Sequence, residues 1–195
     1  MSFFTSYFSM NRFHALNNIE VIGGRYDDIL DAKRDYMEEH PNNNVVYECH
    51  HLIAKEALNL WGDFICERFG ITRYNEFISN DLNQNWAPSI IMEKQDHERT
   101  LSYFNTVTRT EEQNRWAEVY IQQQAQRIIQ EGDIVGVLKD EMNFIRATFG
   151  HKYDLALDEA GDYIRYLQFR HPKKSILTMV NPDNDRWYFE YYFGK

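Results

Sequence analysis

The sequence predicts an α+β fold, predominantly helical, in which a short strand, strand, helix unit is backed by a helical scaffold and followed by a C-terminal β-hairpin. Three observations predict it. Apolar residues recur at steps of three and four through long segments on both sides of the chain's middle, the period of an amphipathic helix. Two short runs, Val45 to Ile53 and Asn85 to Met92, read as extended chain. Past Pro172 the pattern becomes apolar run, turn, apolar run, the grammar of a hairpin. With 195 residues, 43% of them hydrophobic and 15% aromatic, the chain can fill one core. A single domain is therefore expected, with a lead-in over 1–22, a central region over 23–168 and the hairpin over 172–195.

Taken in order, residues 1–22 are apolar and aromatic without a clean period, and are expected to pack on the core. Gly23 and Gly24 predict a tight turn. From Asp27 to His40, Ile29, Leu30, Ala32, Tyr36 and Met37 recur among charges as in a helix, which Pro41 and the following asparagines stop. The strand Val45 to Ile53 comes next. Lys55 to Phe69 places Ala57, Leu58, Trp61, Phe64 and Ile65 at helical spacing and is broken by Gly70. A short helix and a loop are expected between Ile71 and Gln84, then the second extended run, then a helix carrying Asp96, His97, Thr100 and Ser102.

Three scaffold helices follow. Thr110 caps the first, with Glu111 and Glu112 in its opening turn and an apolar face of Ala117, Ile121, Ala125 and Ile128; Gly132 ends it. The second, Asp133 to Phe149, carries Val135, Leu138, Met142, Ile145 and Phe149. The third runs from Tyr153 to about Phe169 on Ala156, Ala160, Tyr163 and Leu167. In the terminal hairpin, Ser175 to Val180 and the aromatic strand Arg186 to Phe193 flank an Asn-Pro-Asp turn.

Composition narrows the function. No apolar run approaches the roughly 20 residues a membrane-spanning helix needs. The opening Met1 to Phe8 lacks the basic and apolar regions of a signal peptide, so the chain is expected to be cytoplasmic where it is made. Cys49 and Cys66 supply no disulfide framework and no zinc spacing, and read as core cysteines. Net charge is −9 with no basic block. A nucleic-acid substrate would have to be held by a local patch, drawn from Lys55, Arg73, Lys94 and Arg99, together with a metal ion.

The chemistry-bearing residues are histidines. His50 and His51 close the first strand, and His97 follows Asp96 in the short helix. Imidazole binds divalent metals and titrates near neutrality, so one cluster can supply both ligand and proton acceptor. Strand alternation sends His50 and His51 to opposite faces, so they share a site only where the strand ends or bulges. Glu48 lies on the His50 face, where it either orients that ligand or is a solvated acid. Thr100 stands one helical turn from Asp96 and His97 and can face the same cleft, whereas Ser102 is off that line.

These motifs, together with Gly23-Gly24-x-Tyr26, Ala87-Pro88 with Ile90 and Met92, Asp96-His97-x-x-Thr100-x-Ser102 and Phe149-Gly150-x-Lys152-Tyr153-Asp154, resemble the ββα-metal or His-Me finger nucleases. Within them the chain is similar to the HNH and endonuclease VII group, and more narrowly to nuclease domains at the C-termini of bacterial polymorphic toxins of the Rhs type, over about residues 20 to 168. The resemblance implies a metal-dependent endonuclease, DNA favoured over RNA, acting as a toxin or effector delivered to a target cell and bound by a cognate immunity protein. It implies His51 as general base, His50 and His97 as metal ligands, and Asp96 as third ligand or as the acceptor that fixes the His97 tautomer. Asn85 would hold the base-bearing loop. Many HNH nucleases carry a second histidine four residues after the helix one, where this chain has Leu101. The thinner ligand set suits Mg or Mn better than tightly held Zn, with Zn or Ni as alternatives. The rival expectation is a non-catalytic protein-binding module, a relative whose histidines hold a structural metal or none.

Overall fold

The computed structural model describes residues 18–69, 85 and 87–170, and shows an α+β architecture, mostly helical, around a small antiparallel sheet. A 3-10 turn (Ile19–Val21) leads into β1 (Gly23–Arg25) and α1 (Tyr26–Glu39), followed by β2 (Tyr47–His51), α2 (Lys55–Phe69), β3 (Pro88–Glu93) and the one-turn helix α3 (Lys94–His97). The scaffold is α4 (Glu111–Gln126), continued by a π turn (Arg127–Glu131), then α5 (Ile134–Phe149) and α6 (Asp154–Arg170). The predicted helix and loop between Ile71 and Gln84, the aromatic lead-in before residue 18 and the C-terminal hairpin lie outside the described residues.

The sheet runs β1-β3-β2 with both pairings antiparallel. Central β3 is buried along all but its last residue, because it is covered on both faces. Ile90 and Met92 point into the large core, against α2, α4, α5 and α6, while Ile91 points the other way, onto Ile19, Ile22 and Ile29. The molecule is thus layered: α1 on one side of the sheet, the helical scaffold on the other. Each fully buried isoleucine contributes about 2 kcal/mol of burial free energy, which is why these alternating positions fix the register.

Three expectations are corrected. Gly23 and Gly24 do not form a tight turn but open β1, paired with Ile90 and Ser89. The helix expected to carry Asp96 through Ser102 is a single turn, and residues 98–102 continue as turns. On α5 the buried line is Ile134, Val137, Leu138, Glu141 and Ile145, with Val135, Met142 and Phe149 only partly buried beside it.

The remaining helices start and stop where their end residues dictate. Thr110 forms a reciprocal capping box with Gln113, Gly132 closes the π turn at a left-handed φ of 66°, and Asp133 caps α5 by accepting from the Gly136 amide at 2.8 Å. The predicted face of α4 is the buried one: Ala117, Ile121, Ala125 and Ile128 all sit in the core. No helix among the described residues is long and apolar enough to cross a membrane.

Candidate functional site

Strand β2 lies at the edge of the sheet, and its alternation distributes three acid–base residues. Glu48 and His50 pair across to Met92 and Ile90 and so face the scaffold, whereas His51 pairs across to Ser89 and faces α1. His50 is buried, and its Nε2 lies 2.9 Å from Glu141 Oε1 on α5. The Tyr120 hydroxyl of α4 donates to the other Glu141 oxygen at 2.6 Å. A carboxylate can only accept, so the proton in this hydrogen bond is on His50 Nε2. Burial, and then the Glu141 charge beside it, push the Tyr120 phenol well above its ordinary range, which keeps it a donor.

The second imidazole repeats this arrangement from the other side. His97 Nδ1 lies 2.6 Å from Glu48 Oε2, which places the proton on Nδ1 and leaves the Nε2 lone pair available. Its ring meets that of His50 edge-on, centroids 5.1 Å apart, and that of Tyr103 at the same distance on another side. Burial, followed by the nearness of His50, holds His97 down to about pKa 4 against the opposing pull of Glu48. It is therefore a neutral imidazole at physiological pH, the form that binds metals or takes a proton.

His51 ends β2 with its ring stacked on Tyr26 at 4.2 Å. A cleft of about 760 Å³ bends around this strand end, and all three histidines line it. Lys55, Glu56, Ser102, Tyr103, Phe104 and Gln122 contribute to its remaining wall. The strand's termination at the sheet edge thus lets both members of the His-His pair reach one cavity without a bulge. Cys49 also borders the cleft, but burial pushes its thiol up to about 11, so it is a protonated packing group rather than a nucleophile.

Asp96, Asn85 and Thr100 are not brought to that cleft, whose lining contains none of them. The Asp96 carboxylate points away from His97 into a separate polar cluster, where it accepts from the Tyr153 hydroxyl at 2.7 Å and from Lys152 Nζ at 2.8 Å. Burial alone would raise this carboxyl; the hydrogen bonds from Lys152 and Tyr153 outweigh it and hold the group below its usual range. Consecutive helix residues are turned by about 100°, which is why neighbours 96 and 97 serve different surroundings. The role expected of Asp96 toward His97, fixing the tautomer, is filled by Glu48. Asn85 sits in the turn before β3, its carbonyl accepting from the Asp27 amide at 3.0 Å. Thr100 is fully buried and spends its hydroxyl on the His97 carbonyl at 2.8 Å. Of the basic residues expected as a substrate patch, Lys55 lines the cleft, Lys94 pairs with Glu98, Arg99 lies over the Phe149 ring and Arg73 is outside the described residues.

Two imidazoles sharing one ion at about 2.1 Å per nitrogen bring their ring centres to roughly 5 Å. The His50 and His97 separation of 5.1 Å fits that span. Among the described residues no set of three His, Cys, Asp or Glu side chains is arranged to hold a metal ion.

Sequence reasoning missed Glu141, Tyr120 and Tyr103. For Glu141 a signal existed: it stands on the line Ile134, Leu138, Glu141, Ile145, an acid at a position the helical period reserves for an apolar side chain. No protein-family model, curated protein or solved structure matches the chain.

Proposed function

We propose that this chain is a metal-assisted endonuclease of the His-Me finger type, cleaving phosphodiester bonds in nucleic acid, DNA in preference to RNA, as a bacterial toxin or effector domain. The observation that supports this reading is the pair of carboxylate-backed imidazoles, His50 with Glu141 and His97 with Glu48, set 5.1 Å apart with a third histidine in the same cleft. Backing by a carboxylate fixes the tautomer of a histidine ligand, orients its ring and raises its basicity. Strand β2 and helix α3 supply the histidines, and β3, which carries none, lies between them in the chain and pairs with β2.

In this mechanism His50 and His97 would hold a divalent ion through their remaining ring nitrogens. With Asp96 engaged elsewhere, the protein donors are nitrogen, a set that suits Ni or Zn better than Mg or Mn. Such an ion would supply Lewis acidity and charge neutralisation to the phosphodiester. His51 acts as the general base, accepting a proton from the water that attacks phosphorus. Its ring is oriented by the stack on Tyr26. Lys55, in the cleft wall, places a positive charge for the substrate phosphate.

The test is plasmid cleavage by purified protein with Mn, Ni, Zn or Mg, with EDTA, and with His51→Ala and His97→Ala. Each variant is expected to lose at least 100-fold in rate at unchanged fold. Cleavage that persists in His97→Ala, or no cleavage with any metal, overturns the assignment. A second reading has its own support: Phe104 at the cleft and Trp116 and Val119 on α4 are exposed hydrophobics, a surface that a protein-binding module would use. Under the first reading the same surface suits an immunity protein that covers the cleft.

A further inference from the structure

We propose that Lys152 and Tyr153 are positioning residues for His97, gripping both ends of the one-turn helix that presents it. The inference rests on the reading of His97 as a functional imidazole. It starts from the length of α3, which is four residues. An isolated turn of that size has no stability of its own, since nucleation fixes several residues for a single hydrogen bond. Glu93, the residue before its first turn, makes no side-chain cap, so the helix must be held from outside.

The outside hold is the turn between α5 and α6. The Tyr153 hydroxyl accepts from the Glu93 amide at 3.1 Å and donates to Asp96 Oδ2 at 2.7 Å. Lys152 Nζ lies 2.8 Å from that same Asp96 oxygen and 2.8 Å from Glu93 Oε1, with Glu20 Oε1 at 3.7 Å. The two residues thus bridge the entry and the third position of α3. The grip is itself stiff. The Tyr153 ring is fully buried with its edge against Phe149, and Gly150, at a left-handed φ of 61°, ends α5 so that the chain turns at once into the Lys152-Tyr153 pair. The Phe149-Gly150-x-Lys152-Tyr153 stretch acquires a purpose that the cleft alone does not give it. Asp96 is fixed in the clamp, and its neighbour His97 is thereby aimed at His50.

Glu48 and Thr100 also hold His97, so loss of the clamp weakens its placement without abolishing it. Tyr153→Phe keeps the buried ring and deletes only the hydroxyl. Lys152→Met alters a side chain that is 29% exposed, and Lys152→Arg retains the charge. The measurement is amide hydrogen exchange by NMR together with kcat and KM for plasmid cleavage. Exchange over residues 94–100 is expected to rise at least tenfold in Tyr153→Phe and Lys152→Met, with α4 unchanged. We expect kcat to fall about 10- to 100-fold, the usual effect of removing an outer support, with KM within twofold and Lys152→Arg restoring most of it. Unchanged exchange over 94–100, a rise spread equally over all elements, or local loosening without any fall in kcat would each overturn the proposal. If the unmodified protein cleaves nothing, the endonuclease reading fails and the exchange data alone still decide whether the clamp holds α3.

Discussion

Glu141 takes a position that a leucine would fill in an ordinary scaffold helix, and it is fully buried there. Burying a carboxylate is tolerated because both of its oxygens are met, by His50 and Tyr120. Removing it leaves a buried imidazole and a buried phenol without their acceptor, so Glu141→Ala is expected to destabilise by about 3 kcal/mol, measured by urea unfolding. Glu141→Gln keeps one acceptor and should lose less than half of that, while still lowering cleavage because the amide supports the His50 tautomer less firmly. Equal stability losses in the two variants would contradict this account. The histidines themselves were legible in the sequence, since His-His at a strand end and Asp-His in a short helix are local patterns. Their carboxylate partners were not, because Glu141 lies 91 positions from His50 and Glu48 lies 49 from His97. Asp96 shows the limit of adjacency: standing next to His97 in sequence, it is turned toward Lys152 and Tyr153 in space.

At the scale of elements, β1 is where local reasoning failed and tertiary packing decided. Two glycines in a row ordinarily signal a turn, but Gly23 is required by close approach: a Cβ there would stand 1.9 Å from the Ala156 carbonyl oxygen of α6. Gly24 instead has open space and a φ of 141°. Gly23→Ala must push β1 off α6 and is expected to cost about 3 kcal/mol, with a matching drop in urea midpoint. A loss of a few tenths of a kcal/mol would show that the sheet edge yields freely. Long amphipathic helices were readable because period and caps agree, as at Thr110 and Gly132. The buried line of α5 differs from its apolar stripe because a buried acid, Glu141, stands on it, and α3 is shorter than its sequence suggests because a run of helix-forming residues continues past His97 where the structure turns.

For the whole molecule, the charge balance sets two expectations. The net charge is −9, and among the described residues Lys55 is the lone lysine or arginine in the cleft wall, beside Glu56 and Glu118. Substrate binding that releases about one counterion should change with salt at a log–log slope of about −1, shallower than for proteins that track a phosphate backbone with many cations. Fluorescence anisotropy with labelled DNA across a salt series reads this directly, and a slope steeper than about −4 would place substrate contacts elsewhere. The second expectation concerns pH. Burial raises the Glu159 carboxyl from 4.5 to about 7, although it accepts from the Gly23 amide. A folded-state value above the unfolded one means stability is fully present below 4.5 and is lost as pH rises through about 7. Glu159→Gln keeps an acceptor for Gly23 and removes the ionisation, so it should add about 1 kcal/mol at pH 8 and nothing at pH 4. Thermal melts at the two pH values check the sign; stabilisation at pH 4 but not at pH 8 would reverse it.

The layering of the molecule carries one more consequence. Among the described residues, the buried apolar side chains clustered on the α1 side of the sheet are four isoleucines, against a far larger set on the scaffold side. On that difference α1 is expected to open before the scaffold does, its amides exchanging faster than those of α4. Tyr26, the first residue of that helix, is also the lid of the His51 ring. Each lift takes the Tyr26 ring off His51, so the tempo of this small opening sets how often that stack is broken.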